Sequence, residues 1–346
     1  MISFWLSFLF PVAGVFSPYR TGQELRIIAW FSVGLFLTIL IGLRHEVGGD
    51  WVNYLRHYDI TLGESFSEAV VTSDPAYASL NWLIGLFDGG IYSVNLVCAV
   101  IFVLGLIRLC QKQPLPWLAL AVAAPYLVTV VAMGYTRQAT ALGIIMWALA
   151  GLREGKLIRY SILVVLACTF HKTAVIMFLP VILLSKRGKV IKAVAISALM
   201  LVTAGALLAE HYERLMRSYV DNPMVSEGGE IRVLMNVLPA LLLIISWKRW
   251  QMVWDDSAAW VLIALMAIAC LPLLSIASTV ADRLALYLIP LQLVVYARTP
   301  LLINNMQMRT GFVLGVLVMH AAVLYVWLNY AGHAHLWVPY RNILFE

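Results

Sequence analysis

Seven consecutive residues, Arg44-His45-Glu46-Val47-Gly48-Gly49-Asp50, hold four ionisable side chains directly behind an apolar run, Ile27 to Leu43. Charges at such a boundary line a polar cavity or a substrate path, because facing lipid they would lose hydration without gaining a partner. The pattern recurs at Tyr135-Thr136-Arg137-Gln138, His171-Lys172-Thr173, Gly229-Glu230-Ile231-Arg232, Asp282-Arg283 and Pro339-Tyr340-Arg341. Arginine stays charged and grips phosphate oxygens in a two-pronged fork. Histidine titrates close to neutral pH, which suits a general base. Arginines converging on a membrane-embedded cavity point to a lipid-linked phosphate or diphosphate.

The elements that must carry these residues are membrane helices. The chain of 346 residues is 62% hydrophobic and 12% charged, with a mean hydropathy of +0.87. It contains more apolar runs near spanning length than a soluble core of this size could bury. Expected spans are 3–17, 26–43, 91–107, 117–133, 138–151, 161–184, 193–209, 233–247, 257–276, 283–297 and 311–330. The expectation is an all-α polytopic membrane protein of about 10–12 transmembrane helices, with re-entrant or broken helices among them. It forms one membrane-embedded domain, 1–346, with external loops 44–75 and 210–232 and an external tail 331–346. Met1 to Phe16 lacks a basic n-region and a small-x-small cleavage site, so it reads as the first helix. Cys98, Cys110, Cys168 and Cys270 show no pairwise motif and read as small hydrophobes.

Loop charge sets the orientation. Short basic loops hold Arg20, Arg26, Arg108, Lys112, Arg153, Lys156, Arg159, Lys186, Arg187, Lys189, Lys192, Lys248, Arg249, Arg298 and Arg309, against the acids Glu24, Glu154, Asp255 and Asp256. The positive-inside rule makes these cytoplasmic. The remaining loops are acidic or mixed and belong outside, together with both termini. The run 161–184 breaks the parity, being basic on both flanks. A segment that rises from Tyr160, turns at His171-Lys172 and returns to Leu184 repairs it, each arm spanning roughly 15 to 18 Å. Such a bent segment needs protein or a wet cavity around it, which places His171 at the bottom of an externally open cavity. Ala76 to Phe87 is too short to span and dips into the outer face in the same way. All the charged motifs then share the external side.

The series Arg44-x5-Asp50-x3-Tyr54, Arg137-Gln138, Phe170-His171-Lys172-Thr173-Ala174, a glycine-acid-x-Arg232 before a span, Asp282-Arg283-Leu284 and Pro339-Tyr340-Arg341 resembles the EpsG-like family, which belongs with the Wzy-type polysaccharide polymerases. The match runs in order along essentially the whole chain. The resemblance implies a metal-independent, GT-C-like glycosyltransferase without a cofactor. It would join repeat units carried on undecaprenyl diphosphate at the outer face of the bacterial cytoplasmic membrane, for O-antigen, capsule or exopolysaccharide. Donor and acceptor are then both undecaprenyl-diphosphate-linked glycans in the bilayer. A flippase and a chain-length regulator are the further partners such a system allows, and nucleic acid is not one.

That chemistry needs charge stabilisation at a leaving diphosphate and a base for an acceptor hydroxyl. The expected diphosphate ligands are Arg137, Arg232 and Arg283, followed by Arg44 and Arg341. The expected bases are His171, then Asp50, then Glu230. His45, Tyr54, Lys172 and Tyr340 are expected to orient the glycan, with Trp51, Tyr58, Tyr219 and Trp337 as stacking surfaces. Plainer roles compete with these. Arg44 could snorkel to headgroups or pair with Asp50, His171 could serve as an interhelical hydrogen-bonder, and Asp282-Arg283 could be a local salt bridge. Gly48-Gly49 reads as a tight turn, and Trp30, Trp117, Trp250, Trp254 and Trp260 as interfacial belt residues. Other classes stay open: a transporter or flippase of lipid-linked sugars, although no internal repeat is evident; an O-antigen ligase; and a membrane O-acyltransferase, disfavoured by the external placement of His171. No Asp-x-Asp, His-Glu-x-x-His or cysteine pair suggests a metal site.

Overall fold

The computed structural model describes residues 1–17, 22–152, 157–180 and 228–346. The expected span 193–209, the end of the segment 161–184, loop residues 210–227 with Tyr219, and the basic residues Arg20, Arg153, Lys156, Lys186, Arg187, Lys189 and Lys192 lie outside them. Among the described residues every element is helical, apart from one isolated antiparallel bridge between Arg44 and Asn342.

In chain order the α-helices are α1 (Ile2–Phe16), α2 (Gln23–Gly42), α3 (Trp51–Gly63), α4 (Phe66–Thr72), α5 (Pro75–Gly85), α6 (Gly90–Gln111), α7 (Pro116–Ala123), α8 (Thr136–Ala150) and α9 (Leu157–Phe170). They continue with α10 (Gly229–Ile245), α11 (Trp247–Val253), α12 (Ser257–Ile276), α13 (Ser278–Leu288), α14 (Pro290–Arg298) and α15 (Met306–Tyr330). Four of these, α2, α6, α12 and α15, are long and apolar enough to cross a membrane. The count rises to six if two bent pairs are each one crossing: α10 with α11 at 76°, and α13 with the segment Pro290–Leu302 at 44°. Shorter apolar helices at Ile2–Phe16, Pro116–Ala132 and Leu157–Phe170 add to the membrane-embedded mass. The protein is an all-α, multi-pass membrane protein.

The core is built on α7 and its π-helical continuation Ala124–Ala132, buried on every face from Leu118 onward. A helix apolar all round belongs inside other helices. Beside it, α6 and α8 cross so closely that a Cβ added at Gly105 would collide with the backbone of Gly143, and one at Gly143 with that of Phe102. In lipid, such small-residue contacts allow the backbone packing that replaces the hydrophobic drive. Gly105→Leu should therefore force the pair apart, at a cost of about 1–3 kcal/mol or more. It should lower the thermal midpoint of the detergent-purified protein. Gly315→Leu on α15, where an added Cβ meets nothing within 4 Å, should leave the midpoint in place.

The bend between α13 and α14 has a local cause and a distant support. Pro290 cannot donate a backbone bond, and just before it Ile289 N–H turns to Leu286 O at 3.4 Å. The Ala285 carbonyl, without its usual donor, accepts from Asn236 Nδ2 on α10 at 2.8 Å, and Asn236 Oδ1 accepts from Gln292 Nε2 at 2.7 Å. Both amide side chains are buried.

The expected loop 44–75 is largely helical. Trp51, Tyr54, Tyr58 and Thr61 of α3 recur at helical spacing and form its buried face, while a Ser65–Glu68 capping box starts α4. The chain breaks at His171: α9 ends at Phe170, His171 is extended (φ −159°, ψ 117°), and a 3₁₀ turn runs over Lys172–Phe178. Tyr160 donates its hydroxyl to Met177 O at 2.8 Å. That bond joins residues on opposite sides of His171, so the second arm folds back on the first.

Candidate active site

Charged side chains gather at two opposite ends of the helices. One end collects the residues after α2, the starts of α3, α5, α8, α10 and α13, the end of α9 and the C-terminal tail. The other holds the loop after α6, the α11–α12 turn and the end of α14. The 22 residues of α6 separate the two by roughly 33 Å at helical rise.

The first end is organised around two arginine–aspartate pairs. Arg137, in the first turn of α8, reaches Asp74 Oδ2 through Nη1 at 2.9 Å. Its guanidinium carbon lies 6.0 Å from the ring centre of Tyr54 and 5.9 Å from that of Tyr77, close enough for cation–π attraction. Arg232, in the first turn of α10, meets Asp282 at 2.9 Å and is flanked by Tyr126 and Tyr135. Gly228, before α10, has φ +75°, a left-handed conformation that glycine adopts without strain. Asp282 pairs with Arg232 of another helix, and Arg283 is exposed.

His171 lies at the end of α9, where the 3₁₀ turn begins. It is buried, and the hydroxyls of Thr173 and Tyr287 converge on its Nδ1 at 2.7 and 3.2 Å. The cations Arg137, Arg283 and Lys172 all act on it. Gln138 Nε2 donates to Arg283 O at 2.8 Å, tying α8 to α13. Asp50 is the N-cap of α3; its carboxylate does not bond the helix's backbone N–H groups and accepts instead from Asn53 Nδ2 at 3.3 Å. It acts electrostatically on Tyr135 and on His57. Burial, and next the Arg137 cation, hold the His57 imidazole below the ordinary histidine range, so it is neutral at pH 7. Glu230, in the first turn of α10, is exposed.

Other expected site residues are arranged differently. Arg44 is 1% exposed. It donates from Nε to Val47 O at 3.2 Å, from Nη1 to Ile41 O at 2.6 Å and from Nη2 to Thr136 Oγ1 at 2.7 Å. It neither snorkels nor pairs with Asp50, and each guanidinium nitrogen is already committed within the protein. Tyr340 donates to Leu40 O at 2.9 Å, His45 N–H to Arg341 O at 3.1 Å and Ile343 N–H to Leu43 O at 3.0 Å. Arg341 pairs with Glu46, and the His45 ring contacts Tyr92 and Glu346. These contacts form a clasp between the tail and the 39–48 segment. Gly48 (φ +106°) makes the tight turn there, and a Cβ on it would strike Met133 O.

The stacking surfaces are corrected as well. Trp51, Tyr54, Tyr58 and Trp337 are all buried. Tyr58 OH accepts from Gly90 N–H at 3.1 Å, and Trp337 Nε1 donates to Thr129 O at 2.8 Å inside the π-helical turn. Their rings pack against protein and offer no face to a sugar. Of the presumed belt tryptophans, Trp30 stacks on Trp117 at 4.4 Å, and the other three surround a buried arginine at the opposite end. There Arg298 grips both oxygens of Asp256 at 2.8 and 2.9 Å and donates to Gln113 Oε1 at 3.0 Å. Trp250, Trp254 and Trp260 lie 5.3 to 5.8 Å from its guanidinium carbon. With its arginine and carboxylate fully partnered to each other, Gln113 and Trp260, this second cluster is structural.

Residues of the first end that the sequence motifs do not include are Asp74, His57, Tyr77, Tyr126 and Tyr287. Asp74-Pro75 carries a legible signal, an N-cap residue followed by proline in the first turn. The others stand out only once the helices are assembled.

The family model described as EpsG family matches residues 27–342. No curated protein matches the chain, and no solved structure does.

Proposed function

The chain belongs to the EpsG family, which supports a polysaccharide-polymerase-like role in general, and from that premise we propose that it is a glycosyltransferase joining undecaprenyl-diphosphate-linked repeat units at the outer face of the cytoplasmic membrane. The observation that carries this reading is that the buried His171 lies within electrostatic reach of three cations, Arg137, Arg283 and Lys172, while Arg232 pairs with Asp282, the residue before Arg283. In this reaction an acceptor sugar hydroxyl attacks the anomeric carbon of the donor. The bond from that carbon to the diphosphate oxygen breaks, the lipid diphosphate leaves with the electron pair, and the hydroxyl proton passes to a base.

Arg137, Arg232 and Arg283 stabilise the charge growing on the leaving diphosphate, a role arginine fills without a metal. His171 takes the proton. For this its Nδ1–H must donate to Thr173 or Tyr287, which places the lone pair on Nε2. Asp50 is the reserve base. Arg44, Tyr340 and the Arg341–Glu46 and His45–Glu346 contacts hold the wall that carries Asp50. Breaking the clasp with Arg341→Ala should change the rate less than tenfold, its guanidinium being half-exposed and paired at the surface.

The deciding experiment supplies purified lipid-linked repeat units to the detergent-solubilised protein. A ladder of lengthening products is expected. Intact substrate that only redistributes across proteoliposome membranes would replace this reading with transport.

A further inference from the structure

Resting on the polymerase reading, we infer that Asp74 is a positioning residue that sets the guanidinium of Arg137 for the substrate diphosphate. Asp74 occupies the N-cap of α5, with Pro75 in the first turn. An aspartate there ordinarily accepts from the N–H groups of its own helix. Asp74 makes no such bond. Its carboxylate turns across the bundle to Arg137, 63 residues away in sequence, at 2.9 Å. Ser65 caps α4 and Asn305 caps α15 through their side chains, whereas Asp50, Ser246 and Asp256, like Asp74, do not bond the backbone N–H groups of the helices they precede.

The structure contains the same device at its other end. Asp256 is the N-cap of α12, forms no cap bond, and is gripped by Arg298. The two pairs differ in what they leave open. The side chains of Arg298 and Asp256 are 2% and 1% exposed, and both prongs of Arg298 lie on the carboxylate. Those of Arg137 and Asp74 are 29% and 13% exposed, and one prong, Nη1, meets the carboxylate. Tyr54 and Tyr77 fix the guanidinium from the sides, and Tyr54 OH also accepts from the Arg137 backbone N–H at 3.4 Å. Asp74 and Arg137 both act on the neighbouring pair, Asp74 on Tyr287 and Arg137 on His171. An arginine held this way keeps its charge and one fixed orientation while part of it faces the site. That is the preorganisation a diphosphate leaving group requires.

The test uses full-length protein in detergent, with lipid-linked repeat units as substrate and farnesyl diphosphate as a binding probe. Serine and asparagine are equally good N-caps, but only asparagine retains an oxygen that can reach Arg137. Asp74→Ser should lower kcat/KM by about 10- to 100-fold, the loss expected for a charge-assisted hydrogen bond, and should weaken farnesyl diphosphate binding. Asp74→Asn should retain several-fold more of both. In an Arg137→Lys background the Asp74→Ser effect should shrink, which a merely structural role of Asp74 would not produce. Equal behaviour of the serine and asparagine variants, or additivity with Arg137→Lys while wild type polymerises normally, overturns the inference alone. Wild-type protein that neither polymerises nor binds the probe overturns the polymerase reading, and the inference with it.

Discussion

Arg298→Ala should be the most destabilising single substitution at the bundle end opposite the site. Arg298 and Asp256 are buried, and all three guanidinium nitrogens that bond there have acceptors: two carboxylate oxygens and Gln113 Oε1. Trp260 Nε1 donates to the same carboxylate at 3.0 Å. Removing the arginine strands the Asp256 charge among indole rings, and losing one partner of a buried pair costs about 3–5 kcal/mol. The measurement is the thermal midpoint and detergent-extractable yield of purified protein, both of which should collapse. The double variant Arg298→Met with Asp256→Leu removes both charges at similar volume and should recover most of the stability. Recovery identifies an uncompensated charge as the cause. A double variant as unstable as Arg298→Ala would instead assign the loss to packing in the tryptophan cage.

At the end that holds the candidate site the largest expected effect is on rate, with stability unchanged. Arg137→Lys keeps a cation that can still face Asp74, yet loses the planar fork. Arg283→Ala removes an exposed guanidinium. Each should slow polymerisation by about 10²–10³-fold, the usual cost of losing one group that stabilises developing negative charge. The thermal midpoint should stay at the wild-type value. Turnover of lipid-linked repeat units by detergent-purified protein is the assay. Unchanged ladders from both variants at equal protein level would remove arginine from the proposed mechanism.

The degree to which the site was legible varied residue by residue. Arg137, His171, Arg232 and Arg283 were recognisable because each interrupts or borders an apolar run, where a charge is costly unless it faces something polar. The break at His171 was recognisable because basic residues flank 161–184 on both sides, a parity that a straight crossing violates. Arg44 satisfied the same criterion and yet is locked inside the protein, because its acceptor Thr136 Oγ1 lies 92 residues away. A boundary charge and a buried clamp look alike in one dimension. The tryptophans show the same ambiguity: spacing near span ends suits a membrane belt, and only the return of α14 to the α11–α12 turn supplies the cation they enclose. The amphipathic period of α3 lay in plain view at Trp51, Tyr54, Tyr58 and Thr61, but the loop charges around it directed attention to sidedness.

By itself the sequence determined the solvent, the secondary structure and the inventory of reactive groups. These follow from local hydropathy and from residue types, which need no knowledge of neighbours in space. Only the tertiary structure decided which charges are available for chemistry. Arg44 and Arg298 are sealed, whereas Arg137 is anchored with part of its fork open to the site, and the difference lies in partners brought from distant segments: Thr136, Asp256 and Asp74. An ion's availability depends on burial and on how many of its hydrogen-bonding positions are already filled. Both are properties of assembled helices, so they came into being only when the helices packed.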